Sequence, residues 1–334
     1  MASVVIVVVG LKTLAGLVGP IFLAVVIVIV VSPVQDAVLR RGGQGWVAKV
    51  VLMVVSFGIL ALIMGSLVWA TVELVELFES EEYASELEAA QQDVTDLAEE
   101  LGIDGDDLEG VLDGVDVGAA AGQLTSALSG VAGLLSSLGL LLATIFFTAD
   151  DSSKFQRSLR YVADQRPAVV EALNHFAAAT RSYFLVSSIF GLIVAIFDVV
   201  ALLVLGIPLA LVWGILSFIT NYIPNVGFVI GLIPPALLAF VQGGWTLSLW
   251  VIVIYSVINV VIQSVIQPKF VGDAVGLSAT LTFLSLIFWS WVIGPLGALL
   301  AVPLTLLAKA LLIDIDPAAR WATALITLEE PPPD

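Results

Sequence analysis

The chain has 334 residues, of which 60% are hydrophobic and 12% are charged, and its mean hydropathy is +1.09. Soluble domains hold about half apolar and about a quarter charged residues, so this composition excludes a soluble globular protein and indicates a multi-pass membrane protein. The formal net charge of -17 comes from residues 73–116, which hold 17 acidic and no basic residues, while the remaining 12 acids match the 12 bases.

The length accommodates roughly eight apolar segments of about 20 residues, each long enough to cross a hydrocarbon core of about 30 Å. Residues 2–34 form the first apolar run, which is too long for one untilted span and is interrupted at Gly19-Pro20. It lacks a basic start and a small-residue cleavage site, so we interpret it as a retained segment. The break predicts either one long kinked helix or a helical hairpin, and we favour the hairpin.

Basic residues set the predicted orientation, because Lys and Arg near span ends mark the cytoplasmic side. They lie after the first apolar run and between residues 150 and 182: Arg40, Arg41, Lys49, Lys154, Arg157, Arg160, Arg166 and Arg181. Residues 50–72 and 128–149 then cross outward and back, which places the acidic loop of residues 73–125 outside. A stripe of apolar residues in this loop favours a helix that packs on a neighbour or on the protein itself: Leu87, Ala90, Val94, Leu97 and Leu101. Its acids lack the spacing of a calcium-binding loop.

Residues 151–182 form a basic amphipathic segment, which we predict to lie along the inner membrane face. Its apolar residues fall on or near one side: Phe155, Leu159, Val162, Val169, Leu173 and Phe176. A span at about residues 183–205 follows, and Gly206 and Pro208 end it.

Residues 221–235 (NYIPNVGFVIGLIPP) place three prolines and two glycines inside an apolar stretch. In lipid, an interrupted backbone is tolerated only where it is buried in protein or lines a cavity. We therefore predict a re-entrant hairpin, or a pair of tilted short helices, on a transport pathway. The candidate residues are Asn221, Tyr222, Pro224, Asn225, Gly227, Pro234 and Pro235.

The span at residues 247–267 carries polar side chains every four residues, on one helix face: Tyr255, Asn259, Gln263 and Gln267. Such residues either hold packed helices together or line a pathway, and the sequence leaves both readings open. Residues 276–312 then form a run too long for one crossing, which breaks between Gly294 and Gly297 and predicts a second hairpin. Two broken apolar stretches are typical of transporter sites built from discontinuous helices.

Asp198 is the best candidate for an intramembrane acid, and such residues commonly couple transport to an ion. Alternatively, Asp198 lies near the outer interface or pairs with Lys12, and Lys12 can also extend to a membrane face. His175 is the only histidine and there is no cysteine, so the sequence offers no catalytic triad and no histidine or cysteine metal cluster. No phosphate-binding GxxxxGK[ST] loop is present. We expect no enzyme activity, no cofactor and no nucleic-acid partner.

Three segments together resemble the autoinducer-2 exporter family, also called PerM-type permeases: IPNVGFVIGLIPP (223–235), QPKFVGDAVGLS (267–278) and FLSLIFWSWVIGPLGALLAVPLT (283–305). The resemblance implies an oligomeric permease of the prokaryotic inner membrane that exports the furanone signal autoinducer-2. It also implies an alternative, because some members exchange sodium or lithium for protons. The matching positions are Pro224, Asn225, Gly227, Pro234, Pro235, Pro268, Gly272, Gly294, Gly297 and Pro303. Many relatives are expected to have a glutamate where this chain has Gln267, which removes a carboxylate from that position.

The predicted architecture is therefore an all-α polytopic membrane protein with about eight transmembrane segments, including broken or re-entrant hairpins. Its predicted parts are N-terminal spans (1–72), an acidic outer loop (73–125), one span (126–150), a cytoplasmic amphipathic segment (151–182), a C-terminal core (183–313) and a cytoplasmic tail (314–334). The predicted partners are the lipid bilayer, a small solute or monovalent cation, and further copies of the chain. A non-transporting scaffold that acts through the acidic loop is the competing reading.

Overall fold

The computed structural model describes residues 2–78, 138–151, 161–224, 226–267 and 277–316, with isolated residues between and after these ranges. All regular structure in these ranges is helical. The predicted acidic-loop helix, Asn225, Pro268, Lys269 and Gly272 lie outside the described residues. The all-α polytopic class that the sequence predicted is confirmed.

The helices labelled here α1 to α10 follow one another along the described chain, and residues 161–163 between α4 and α5 are helical as well. The N-terminal ones are α1 (Ala2–Thr13), α2 (Ala15–Arg40), α3 (Gly45–Phe78) and α4 (138–151). The others are α5 (Pro167–Leu205), α6 (Ala210–Thr220), α7 (Gly227–Asn259), α8 (Ala279–Ile293), α9 (Pro295–Leu299) and α10 (Ala301–Lys309). Two π-helices extend α7 and α10, at Val260–Ile266 and Ala310–Asp314. Three of the described helices, α2, α3 and α5, are unbroken and are long and apolar enough to cross a membrane. Helix α7 with its extension has the same length and apolar character, but it contains a break.

The junction between α1 and α2 is a kink and not a hairpin. Helical hydrogen bonds continue through it, from the Leu14 amide to the Gly10 carbonyl and from the Val18 amide to the Leu14 carbonyl. Val8, Leu11, Val18 and Phe22 all join the same core cluster with α8 and α9, so one helical face continues across the junction. The hairpin favoured from the sequence is therefore wrong. Gly19 and Pro20 lie inside α2 and are buried there, because Gly19 packs against side chains of α8 and α9.

Helix α5 is the central element, because it packs against α2, α6, α7 and α10. Its 39 residues give a length of about 58 Å, which exceeds the hydrocarbon core. The helix has no break at residue 182, where the sequence suggested that the amphipathic segment ends. From Pro167 onward that segment is the first part of α5, and Ala172, Phe176 and Ala179 pack on α10 and its extension.

A proline in α2 creates a polar contact between α2 and α5. Pro33 lacks an N–H, so the Ile29 carbonyl four residues earlier loses its helical donor. Arg181 of α5 donates from Nε to this carbonyl at 3.3 Å and from Nη2 to the Ser32 hydroxyl at 2.9 Å. The Ser32 hydroxyl also donates to the Ile29 carbonyl, at 2.9 Å. These bonds satisfy the freed carbonyl and fix α5 beside the N-terminal helices.

The first hairpin is formed by α6, the turn at residues 221–226 and the first part of α7. The turn is tight, because a Cβ at Gly227 would overlap the Thr220 carbonyl oxygen. The chain reverses again inside α7, where Gly243 and Gly244 leave helical geometry and Gly244 has φ 63°. Positive φ at this point favours glycine.

A hydrogen bond confirms this second reversal. The Ser248 hydroxyl donates to the Ala236 carbonyl at 2.9 Å, although twelve residues of straight helix would separate them by about 18 Å. We call the two parts of the helix α7a (227–242) and α7b (245–259). Pro234 and Pro235 lie inside α7a, so the helix break that was predicted for residues 221–235 ends before these prolines. The break at Gly243 was not predicted from the sequence.

The second hairpin is formed by α8, α9 and α10. Gly294 separates α8 from α9 and has φ 83°, and a Cβ at Gly297 would overlap the Trp289 carbonyl oxygen. The Trp289 indole donates to the Thr305 hydroxyl at 2.9 Å, across sixteen residues of sequence. The chain therefore folds back on itself between Gly294 and Gly297, as the sequence predicted.

Candidate functional site

A buried polar column lies between α5, the first hairpin and α7b, and it has two levels. The first level joins three elements through Asp198 of α5, Ser217 of α6 and Tyr255 of α7b. Asp198 is fully buried, and its Oδ2 accepts a 2.5 Å hydrogen bond from the Ser217 hydroxyl. Tyr255 is 2% exposed and lies on α7b, which packs against α5. No described side chain hydrogen-bonds to Asp198 Oδ1 or to the Tyr255 hydroxyl.

The second level is a chain of amides at the turn of the first hairpin. Asn221 donates to the Ser187 carbonyl of α5 at 2.9 Å and accepts from the Gln263 amide at 2.9 Å. Gln263 also donates to Asn259 Oδ1 at 2.7 Å, and Asn259 donates to the Tyr255 carbonyl at 2.9 Å. The amide chain thus runs from α5 through the hairpin turn to α7b, and it ends at the backbone of Tyr255.

A glycine on α5 makes room for the hairpin turn. A Cβ at Gly191 would lie 2.6 Å from the Asn221 side-chain nitrogen, so a larger residue would displace the amide. Gly214 of α6 likewise meets Val199 of α5 at a distance that no Cβ could occupy. Small residues let membrane helices approach closely, and here they bring α6 against α5.

The aromatic side chain of Tyr222 fixes the turn to α5. Its hydroxyl forms a 2.7 Å hydrogen bond with the Ser188 hydroxyl, and its carbonyl accepts from the Tyr183 hydroxyl at 2.8 Å. The Tyr222 ring lies 5.5 Å from the ring of Phe184, centroid to centroid. Helix α5 therefore holds the turn of the first hairpin at both Asn221 and Tyr222.

The column extends about 12 Å along α7b and its π-helical extension, roughly the rise of the eight residues from Tyr255 to Gln263. It offers hydroxyls, amides and one carboxyl group, and α6 and α7 carry no other acid and no base. Such a surface can hydrogen-bond a polar solute without adding a fixed positive charge. Metal binding has less support, since the described part of the chain has no group of three or more His, Cys, Asp or Glu.

The structure brings together most of the candidates from the first hairpin and α7b. Those in direct contact are Asn221, Asn259 and Gln263, while Tyr222, Pro224 and Gly227 shape the turn. Gln267 caps the π-helix at the end of the described segment, and Asn225 lies outside the described residues. Gly294 and Gly297 belong to the second hairpin, which packs against α1 and α2.

Lys12 does not pair with Asp198. Its ammonium group lies 3.9 Å from the ring centroid of Trp291 in α8. A cation over an indole face is a favourable contact, and α1 lies beside α8 rather than beside the second half of α5. The proposed pairing of Lys12 with Asp198 is therefore wrong.

Several contributors to the column were missed from the sequence. Ser187, Gly191, Ser217 and Ser188 are small residues inside apolar helices, and none stands out by charge. The spacing of Ser187, Gly191 and Ala195 by four residues is a small-residue pattern that marks close helix packing. That pattern could have predicted that α5 packs closely against another helix. It could not have identified Asn221 of the first hairpin as the residue that contacts α5.

The fold and the column define a multi-pass α-helical membrane protein whose broken helices surround polar groups, as in membrane transporters. The sequence model described as "AI-2E family transporter" matches residues 1–316. The chain belongs to this family of transport proteins.

Curated relatives agree with this assignment. The chain is 30% identical over 313 residues to the AI-2 transport protein TqsA of Escherichia coli, covering 92% of this chain and 89% of that protein. It is 27% identical over 334 residues to a putative transport protein of Haemophilus influenzae, with 98% and 95% covered. The putative transport protein YhhT of Escherichia coli is 26% identical over 311 residues, with 92% and 88% covered.

Proposed function

We propose that this transporter exports a small polar solute, with autoinducer-2 as the first candidate, along the polar column between α5, the first hairpin and α7b. The observation that carries the proposal is the amide chain through Asn221, Gln263 and Asn259. These amides pair with one another in the closed arrangement, and a hydroxyl-bearing solute could replace the same bonds. The name of the relative TqsA supports the choice of solute.

The first hairpin is the element that we propose to move. It is short, because α6 has 11 residues and a length of about 16 Å, and it is joined to the spans at both ends by turns. Rocking of such a hairpin against α5 would expose the column first to one side of the membrane and then to the other. Gly227 and the Gly243-Gly244 reversal bound its second arm.

The proposed location is the inner membrane of a prokaryote, with residues 73–125 outside and residues 314–334 inside. The Lys49 ammonium group, near the start of α3, lies 2.7 Å from a carboxylate oxygen of Asp150 in α4, so these two residues share one side of the membrane. We propose that this side is the inner one, because basic residues near span ends mark the cytoplasmic face. Assembly of several copies is proposed from the family resemblance.

Exchange of a monovalent cation, or passive flow, is the alternative activity. Asp198 favours coupling to an ion because a buried acid at membrane depth is commonly functional. A non-transporting scaffold is the further alternative, and it predicts that the phenotype depends on residues 80–115 and survives disruption of the first hairpin.

The test is autoinducer-2 flux in proteoliposomes that contain the purified protein. Asn221→Ala and Gln263→Ala should each lower flux about tenfold, since a lost hydrogen bond to a bound solute costs roughly 1–1.5 kcal/mol and about 1.4 kcal/mol corresponds to tenfold. Gln44→Ala is the matched control, because Gln44 is an exposed amide outside the column and accepts from the Trp46 indole at 2.6 Å. Equal flux in all three variants would contradict the proposed pathway.

A further inference from the structure

Asp198 of α5 and Tyr255 of α7b each have a buried polar atom without a hydrogen-bond partner. Asp198 has no exposed surface, and one of its two oxygens, Oδ1, has no hydrogen-bond partner. The Tyr255 hydroxyl, from the facing helix α7b, is buried and unpartnered as well. Buried polar groups are normally paired, so two unpaired polar atoms on helices that pack against each other point to a role other than packing.

The surroundings offer no charge that could balance a carboxylate. Helix α6 has no ionisable residue, and α7 with its extension has only Tyr255. The other helices that pack here carry ionisable groups away from Asp198. They are Lys49, Glu73 and Glu76 on α3; Glu171, His175, Arg181 and Tyr183 in the first half of α5; Asp36 and Arg40 on α2; and Lys309 and Asp314 on α10 and its extension. Tyr222 bonds to Ser188, and Tyr83 is buried in the same apolar cluster as Tyr255. Arg181 is 17 residues from Asp198, about 25 Å along α5.

A single neutral donor is the only described partner of Asp198. The Ser217 hydroxyl stabilises one carboxylate oxygen. The free energy needed to bury an unpaired carboxylate in an apolar interior is far larger than the stabilisation from one hydrogen bond. A protonated carboxyl group removes that cost. It also places an O–H on Oδ1, which needs an acceptor, and the Tyr255 hydroxyl is an oxygen without a partner on the facing helix.

We propose that Asp198 binds the proton that this transporter carries, and that Tyr255 closes over that proton in the occluded state. The carboxyl group takes up one proton while the column is open to one side of the membrane and releases it while the column is open to the other side. The amide chain supplies the link to the solute, because Asn259 donates to the backbone carbonyl of Tyr255 and also bonds to Gln263. A solute that displaces Gln263 would therefore shift the helix that covers Asp198.

The role in transport rests on the proposed function, whereas the bound proton can be measured without it. Infrared spectroscopy of the protein in lipid nanodiscs, with aspartate labelled by ¹³C, reports protonated carboxyl groups directly. At pH 7 we expect one carboxylic-acid band that disappears in Asp198→Asn and shifts in frequency in Tyr255→Phe. Asp151→Asn is the matched control, since Asp151 is exposed and paired with Lys154, and it should leave the band unchanged.

Absence of the band from the unaltered protein at pH 7, or its persistence in Asp198→Asn, would overturn the proposal. Loss of the band on adding Na⁺ at constant pH would assign the site to a metal cation and overturn it too. Tyr255→Phe keeps the helix packing and so tests the site if Asp198→Asn fails to fold.

Flux separates this proposal from the proposed function. In proteoliposomes, the ratio of solute accumulation with a pH gradient to accumulation without one should fall to about one in Asp198→Asn. Gradient-driven accumulation that survives in Asp198→Asn would overturn the proton-carrying role. In a further outcome, neither the unaltered protein nor any variant moves the solute although the infrared band behaves as expected. That result would contradict the choice of solute and would still support the proton site.

Discussion

The two broken hairpins of this protein look alike in sequence and differ in what they enclose. Each reverses at a glycine that leaves no room for a Cβ, Gly227 in the first and Gly297 in the second. The first encloses the amide chain and faces Asp198, whereas the second is joined by the Trp289–Thr305 hydrogen bond and packs apolar side chains on α1 and α2. A break in an apolar run therefore indicates a hairpin, and the polar residues around it indicate whether the hairpin carries a site.

The largest expected effect is common to both hairpins. Gly227→Ala and Gly297→Ala each force a Cβ into a backbone carbonyl oxygen, of Thr220 and Trp289 respectively, so the turn must open. We expect loss of more than about 4 kcal/mol of stability, the range of exceptional single substitutions, and no folded protein after detergent extraction.

Gly65→Ala is the control for these two substitutions. A Cβ there meets nothing within 4 Å, and Gly65 lies inside α3, so the substitution should stabilise the helix by up to about 1 kcal/mol. Size-exclusion chromatography and thermal unfolding measure all three. A well-folded Gly227→Ala protein would show that the turn is looser than described.

The next effect should distinguish the hairpins. Asn221→Leu removes the central amide of the first hairpin and leaves Gln263 without that partner, so solute flux should fall at least tenfold. Trp289→Phe and Thr305→Val remove the bond of the second hairpin and should lower stability by about 1–3 kcal/mol while flux per folded molecule is retained. Flux assays normalised to folded protein measure both. Equal loss of flux from the two hairpins would remove the distinction.

A double-mutant cycle measures how directly the amides interact. Asn221→Ala and Gln263→Ala share a 2.9 Å hydrogen bond, so their effects on unfolding free energy should be non-additive by about 0.5–3 kcal/mol. Asn221→Ala combined with Thr305→Val crosses from one hairpin to the other and should be additive within about 0.5 kcal/mol. Coupling between the hairpins as strong as coupling within the first would contradict their independence.

The smallest expected effect concerns the contact of α1 with the second hairpin. Lys12→Met keeps the length of the side chain and removes the charge above Trp291. We expect a loss of about 0.5–1 kcal/mol in stability, typical of an exposed cation–aromatic pair, with no change in flux. Thermal unfolding in nanodiscs measures it, and a change in flux would connect α1 to the pathway.

The sequence predicted the parts of the fold that depend on local chemistry. Glycine and proline marked the turns at residues 221–227 and 294–297, and polar residues at a spacing of four marked the face of α7b. The reversal at Gly243-Gly244 and the continuous kink at Leu14 were missed or misjudged. Lipid is as apolar as the protein core, so the amphipathic pattern that reveals helix faces in soluble proteins is weak in these helices.

The neighbours of the site residues could not be predicted for a related reason. Asp198 was recognised as an acid in an apolar span, but its contact with Ser217 depends on how close α6 approaches α5. That approach is set by Gly214 against Val199, a tertiary contact between residues 15 positions apart in different helices. Local patterns in one sequence do not encode such pairings.

The most direct test of the pathway uses cysteine accessibility, because the chain contains no cysteine. Asn221→Cys and Gln263→Cys probe the column, and Thr305→Cys probes the second hairpin. A water-soluble thiol reagent should label the first two in membranes, and saturating solute should slow that labelling, while Thr305→Cys stays unlabelled with or without solute. Two results together would contradict a pathway through the first hairpin. The reagent would label Thr305→Cys and the solute would slow that labelling, while Asn221→Cys and Gln263→Cys stayed inaccessible to the reagent.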